Sequence, residues 1–228
     1  MFNKANRVQT WIMTSTVHAP TPLAQLGPIA QLRAGRLARR LPQLYVGLFL
    51  YGVSLAMMVR GALGLAPWDV LHSGFVRHVP MTLGQAVILF SFVVLVLWIP
   101  LREMPGLGTI SNAVVVGLSA DATLAVLSEP DALGLRIALM LGGVLLCGLA
   151  SALYIGAQLG RGPRDGLMTG LSRRTGLSLR LVRTALEVAV VVIGLLLGGV
   201  LGIGTVVYAL AIGPLTQLML PWFTVDLR

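Results

Sequence analysis

Apolar and polar positions along this chain fall into long blocks. From residue 43 onward six apolar stretches recur, at about 43–60, 83–101, 107–127, 134–157, 181–199 and 204–222. Each approaches the ~20 residues with which a helix crosses ~30 Å of hydrocarbon at ~1.5 Å per residue. Two stretches between them, at about 61–80 and 158–180, are too polar or too interrupted to be ordinary spans. Both hold a Pro-x-Asp core, Pro67-Trp68-Asp69 and Pro163-Arg164-Asp165. The second also carries Arg161, Arg164, Arg173 and Arg174. A single arginine at mid-bilayer costs about 2.5–3.5 kcal/mol on insertion scales. The pattern therefore predicts an all-α polytopic membrane protein with six transmembrane helices. Two short helices would lie at the interface or re-enter where other helices cover them. An eight-span chain, with both short pieces crossing, stays open.

Residues 1–41 read as a basic cytoplasmic tail, largely disordered, with Lys4, Arg7, Arg33, Arg36, Arg39 and Arg40. Pro20, Pro22 and Pro28 oppose a long helix there. No apolar core follows the first charges, as a secretory signal would require. The stretch from Gln31 to Leu41 is either a basic turn on an anionic membrane surface or a flank that sets orientation.

Sliding the sequence on itself by 96 residues, without a gap, divides the rest into two repeats, 42–127 and 134–222. Gly64-Leu65-Ala66-Pro67-Trp68-Asp69-Val70-Leu71 falls on Gly160-Arg161-Gly162-Pro163-Arg164-Asp165-Gly166-Leu167, and Gly106-Leu107-Gly108-Thr109 falls on Gly202-Ile203-Gly204-Thr205. Apolar helices align leucines by chance; they do not so align Pro, Asp and Gly-Thr. Three spans per half is an odd number, so the second half enters the membrane upside down. Such an inverted repeat is a common plan of secondary transporters, and matching interrupted segments point to their substrate site.

The Gly64-Leu65-Ala66-Pro67-Trp68-Asp69 motif, with Gly204-Thr205 and the small six-helix frame, resembles the YczE/YyaS/YitT-like bacterial integral membrane proteins. The resemblance covers about residues 43–222. It implies a multi-pass membrane protein of a family whose functions are mostly unassigned, some members resembling exporters of small drugs or metabolites. Larger members carry a soluble C-terminal domain that this chain, ending at Arg228, does not show.

Composition agrees with the blocks. Of 228 residues 56% are hydrophobic and 11% charged, where a soluble domain has about 25% charged. The net charge of +9 suggests acidic partners at first sight. With the N-terminus inside, however, all 17 basic residues except Arg60, Arg77 and Arg136 fall on the cytoplasmic side, as the positive-inside rule requires. That places a multi-pass chain in the bacterial cytoplasmic membrane and argues against nucleic acid. The lone Cys147 excludes an intrachain disulfide and reads as a small packing residue.

Candidate chemistry centres on the duplicated cores. Asp69 and Asp165 follow Pro67 and Pro163 by two positions. Either they complement the positive end of a helix dipole, or they are ionisable groups at membrane depth that take a proton or a substrate. Trp68 reads as an interfacial anchor, and Arg164 shares its register. Arg183 and Glu187, spaced i, i+4, form either a self-neutralised pair or a coupling site. Asp121 is an interfacial acid or a further titratable group, and His72 and His78 read as interfacial. Thr109 and Thr205, with Asn112 and Tyr208, open two spans, where a helix N-cap or an anion site is expected. Small residues every four positions at Gly148, Ala152, Gly156 and Gly160, and at Gly194, Gly198 and Gly202, allow close helix contact within the chain or in a homodimer. Pro214 should bend the last span.

The chain has no Gly-rich phosphate loop followed by lysine, no His-x-x-x-His or cysteine pair for a metal, and no nucleophile elbow. No cofactor and no enzymatic step are expected. The reading is a small secondary transporter or exporter of an unknown small molecule, with ion coupling expected through the titratable groups above; the alternative is a non-transporting membrane scaffold or accessory protein for another enzyme or complex. The bilayer is its first partner.

Overall fold

The computed structural model describes residue 23 and residues 26–227, which are helical with connecting turns. The helices are α1 (Pro28–Arg33), α2 (Leu37–Gly61), α3 (Pro67–Phe75), α4 (Leu83–Leu101), α5 (Leu107–Val126), α6 (Leu133–Gly156), α7 (Pro163–Thr175), α8 (Leu179–Leu196) and α9 (Ile203–Phe223). Among the described residues five helices, α2, α4, α5, α6 and α9, are long and apolar enough to cross a membrane. The stretch 181–199, read as an equal sixth span, stands apart. Its helix α8 starts two residues earlier and takes in Arg180, Arg183 and Glu187. At 9 and 13 residues, α3 and α7 measure roughly 14 and 20 Å, too short to cross ~30 Å of hydrocarbon.

The end of the basic tail is not a free flank. Helix α2 begins at Leu37 and buries Arg40 completely. Arg40 Nε donates to Ala157 O (2.8 Å), Nη2 to Gln158 O (2.7 Å), and Nη1 to Gln31 O (2.7 Å). Carbonyls at a helix C-terminus lack intrahelical donors, and Arg40 supplies them to the end of α6. Of the tail charges, Lys4 and Arg7 lie outside the described residues, as do Pro20 and Pro22.

The offset of 96 governs the elements as well. Helices α6, α7, α8 and α9 start 96 residues after α2, α3, α4 and α5. Positive φ recurs at the same spacing, at Ala62 and Gln158, Gly64 and Gly160, and Arg102 and Gly198. Gly64 and Gly160, at φ +124° and +135°, adopt a conformation closed to other residues, and each lies against the opposite half, at Gly202 and at Gly106 and Thr109.

Packing repeats this correspondence. The equivalent helices α2 and α6 lie antiparallel. Gly47, near the start of α2, meets Leu153 and Tyr154, whereas Gly61, at its end, meets Arg136 and Met140. Helix α5 packs on α2 and α9 on α6, while the short helices cross over, α3 onto α8 and α7 onto α4. Two reciprocal bonds tie the halves, from Gly108 N to Leu159 O (2.7 Å) and from Gly204 N to Leu63 O (2.8 Å). The glycine stripes serve contacts within the chain. Gly148 and Gly156 pack on Leu215 and Phe223, and Gly194 on Val70 and Leu71. Pro214 stays inside the continuous α9. Large apolar residues such as Phe49, Phe92, Ile99, Leu196, Leu210 and Trp222 cover the outside.

One contact breaks the correspondence. Helices α4 and α5 pack closely, whereas α8 and α9 scarcely touch. Gly84 and Gly117 let the first pair approach backbone to backbone. Asp121, at the far end of α5, then accepts from Gly84 N (2.8 Å) and from the Thr82 hydroxyl. It is thus the clasp of two helices rather than a bare interfacial acid. In the second half these positions are Arg180, Gly213, Gln217 and Ser178, and a side chain at Gly213 would meet open space.

Candidate functional site

The two short helices begin in the middle of the bundle. Each opens on proline at its first turn with an acid in that turn, Asp69 in α3 and Asp165 in α7. Proline presets the helical φ there, and the acid complements the helix dipole by about 0.3–1 kcal/mol. Each helix then returns to the end from which its chain entered. His78, beyond α3, bonds Leu197 O at 3.1 Å, and Arg173, in α7, donates to Leu101 O at 3.1 Å.

At their starts the halves meet through equivalent residues. The Arg164 guanidinium lies 5.1 Å from the centre of the Trp68 ring, a cation–π contact. Arg164 Nη2 also stands 3.6 Å from Asp69 Oδ1, which His72 Nδ1 approaches at 3.1 Å. Trp68 is 7% exposed and His72 1%. Neither is therefore an interfacial residue; both are drawn inward by the charge pair between the halves. His78 is exposed. Asp165 takes a different partner from Asp69, accepting the Tyr154 hydroxyl at 2.8 Å. Trp98 Nε1 donates to Pro163 O (3.0 Å) and so fixes the start of α7.

These groups surround a cavity of about 490 Å³, within the usual range for a small-molecule site. Pro67, Trp68, Pro163, Arg164 and Asp165 form part of its wall. Other equivalent pairs face it from both halves: Asn112 and Tyr208, Ser91 and Glu187, Val87 and Arg183. Arg183 Nε pairs with Glu187 Oε1 at 2.9 Å. Thr216, Gln217 and Leu220 line the side where α8 and α9 stand apart.

Among the candidates, Asp69 sits behind Arg164, outside the wall. Thr109 and Thr205 are removed from it and hold the starts of α5 and α9. Each occupies the third helical position, and its Oγ1 accepts from the N–H of the capping glycine, Gly106 (3.1 Å) or Gly202 (3.4 Å). The N-caps are therefore glycines, and the threonines reach back to them. Cys147 is buried, 3.6 Å from the Tyr208 hydroxyl. The sequence did not single out Tyr51, Tyr154, Ser151 or Ser91, all of which line the cavity. Ser91 and Tyr51 carried a signal, standing 96 residues before Glu187 and Cys147.

Demand in the cavity is uneven. Asp165, Glu187 and Asp69 are engaged by Tyr154, Arg183 and His72. Among the described residues, Arg164 makes no side-chain hydrogen bond, and the buried Trp68 Nε1 has no acceptor. A buried donor left without a partner costs roughly 1–3 kcal/mol.

The chain matches a family of unknown function, DUF6198, over residues 38–221. It is 41% identical over 177 residues to an uncharacterized protein of Haemophilus influenzae, covering 78% of this chain and 81% of that one. It is 30% identical over 179 residues to the uncharacterized membrane protein YczE of Bacillus subtilis, covering 78% and 83%. With YyaS of the same organism it shares 26% over 183 residues, covering 77% and 90%. The resemblance drawn from Gly64–Asp69 thus holds for YczE and YyaS. No solved structure matches.

Proposed function

We propose that this chain, which belongs to the DUF6198 family of unknown function, is a secondary transporter moving a small solute across the bacterial cytoplasmic membrane. Its halves form an inverted repeat of three spans each, with α8 as the sixth span, α3 and α7 re-entrant from opposite faces, and the N-terminus cytoplasmic. The antiparallel packing of α2 on α6 supports that inversion. The arginines of α8 do not forbid a span, because Arg183 pairs with Glu187 and lines the cavity. A charged group at membrane depth is tolerated where it faces water or a partner. No catalytic constellation is formed by these residues, and no enzymatic step is assigned.

The observation that carries this reading is the broken correspondence around one cavity. Two equivalent halves share a site, and one is clasped where the other is open. Exchanging their conformations would open α4 from α5 and close α8 on α9, so that the cavity changes sides. In this orientation the present opening is cytoplasmic. Glu187, at the open side, is the candidate coupling group, since its protonation releases Arg183.

Cysteine cross-linking tests the exchange. Ile88 touches Gly117 in the clasped half, and the equivalent positions are Thr184 and Gly213. Thr184→Cys with Gly213→Cys, in a chain carrying Cys147→Ala, should form a disulfide in membrane vesicles while α8 and α9 are closed. A pair that never cross-links under oxidation leaves α8 and α9 fixed apart and sinks alternating access.

A further inference from the structure

The donors left unmet around the cavity bear on what it binds. Arg164 reaches the cavity wall with its side chain 22% exposed and has only one long ion contact, to Asp69 at 3.6 Å. The Trp68 ring lies under the guanidinium, and its own buried N–H lacks an acceptor among the described residues. The acids are otherwise placed. Asp165 accepts from Tyr154, Glu187 pairs with Arg183, and Asp69 has His72 and Arg164. An incoming cation would meet carboxylates that each already hold a donor, with the Arg164 and Arg183 guanidinium groups beside them. An incoming oxyanion would meet a guanidinium with donors to spare, beside the dipole-positive start of α7. Tyr51, Tyr154 and Tyr208, with Trp68, supply ring surface for an apolar body.

Resting on the transport reading above, we infer that the cavity binds a small organic anion whose carboxylate or phosphate group is held by Arg164. Trp68 positions the guanidinium. The site is built across the repeat, one residue from each half at the same register, so neither half holds the anion alone.

Binding to the full chain in detergent tests this without any need for transport. The probes are benzoate, phenyl phosphate, benzamide and benzylammonium, followed by intrinsic tryptophan fluorescence and by the melting temperature. Benzoate or phenyl phosphate should bind, and whichever binds more tightly identifies the oxyanion. Benzamide and benzylammonium should bind at least about tenfold more weakly, the loss expected for a charge-assisted bond. Arg164→Gln should remove the preference for the anions. Trp68→Phe keeps a smaller ring under Arg164 and loosens the hold on the guanidinium; it should weaken the anions alone, which guards against a misfolded Arg164 variant. Preference for benzylammonium, absence of binding by both anions, or anion binding unchanged in a folded Arg164→Gln overturns the inference. Cross-linking of Thr184→Cys with Gly213→Cys would be untouched by such a result, so the two readings fail separately.

Discussion

At Asp69 and Asp165 the same residue in the same register has acquired two different tasks. Asp69 is held between His72 and Arg164, and Asp165 takes a tyrosine hydroxyl. Breaking a fully buried ion pair costs about 3–5 kcal/mol, and the partial exposure of Arg164 reduces this. Asp69→Asn should therefore destabilise the protein by about 1–3 kcal/mol, read as a lower unfolding midpoint in detergent. Asp165→Asn keeps an acceptor for Tyr154 and should cost less than about 1 kcal/mol. Both variants should lose transport in proteoliposomes; retained transport in both removes these residues from the mechanism. The proline and the acid of each motif were legible in the sequence because helix starts obey local rules. The inward turn of Trp68 and His72 was not. Their amphipathic side chains suit an interface equally well, and only their partners decide, Arg164 of the opposite half for Trp68 and Asp69 for His72.

Helix pairs differ in what their glycines permit. At Gly117 a side chain would strike Gly84 and Ile88, whereas at Gly213 it would enter open space. Gly117→Ala should then cost about 1–3 kcal/mol through overpacking. Gly213→Ala should be neutral or add up to about 1 kcal/mol through helix propensity. Thermal unfolding of the two variants side by side checks this, and equal losses would contradict the open α8–α9 gap. The sequence could show that both positions are glycine. It could not show which pair is closed, because that rests on Asp121 reaching Gly84 N and the Thr82 hydroxyl across two helices. Nor could hydropathy place Arg40, which reads as a tail charge until the carbonyls of Ala157 and Gln158 are found around it.

Over the whole molecule, the offset of 96 anticipated the starts of four helices and the placing of Pro67 and Pro163 on one cavity. It was legible because turns, prolines and left-handed positions constrain residue type strongly. The crossing of α3 onto α8 and α7 onto α4 was not, since contacts between repeats leave no periodic trace along one chain. The proposed orientation makes its own prediction. A cysteine at Glu129, in the α5–α6 turn, should react with an impermeant thiol reagent added outside intact cells. One at Met104, in the α4–α5 turn, should react only after permeabilisation. The reverse pattern would invert the topology, and labelling of both from outside would rule out the six-span arrangement.

The stacking of Trp68 on Arg164 has a consequence for ancestry. Two identical copies assembled as an antiparallel pair would place like on like at this register, tryptophan against tryptophan or one guanidinium against another. In a single chain the two positions are free to differ, and here they form a complementary couple. Each half thereby became dependent on the other. A protein made by joining the first half to itself would lose its cation there, and one made from the second half twice would gather two unshielded cations at its centre.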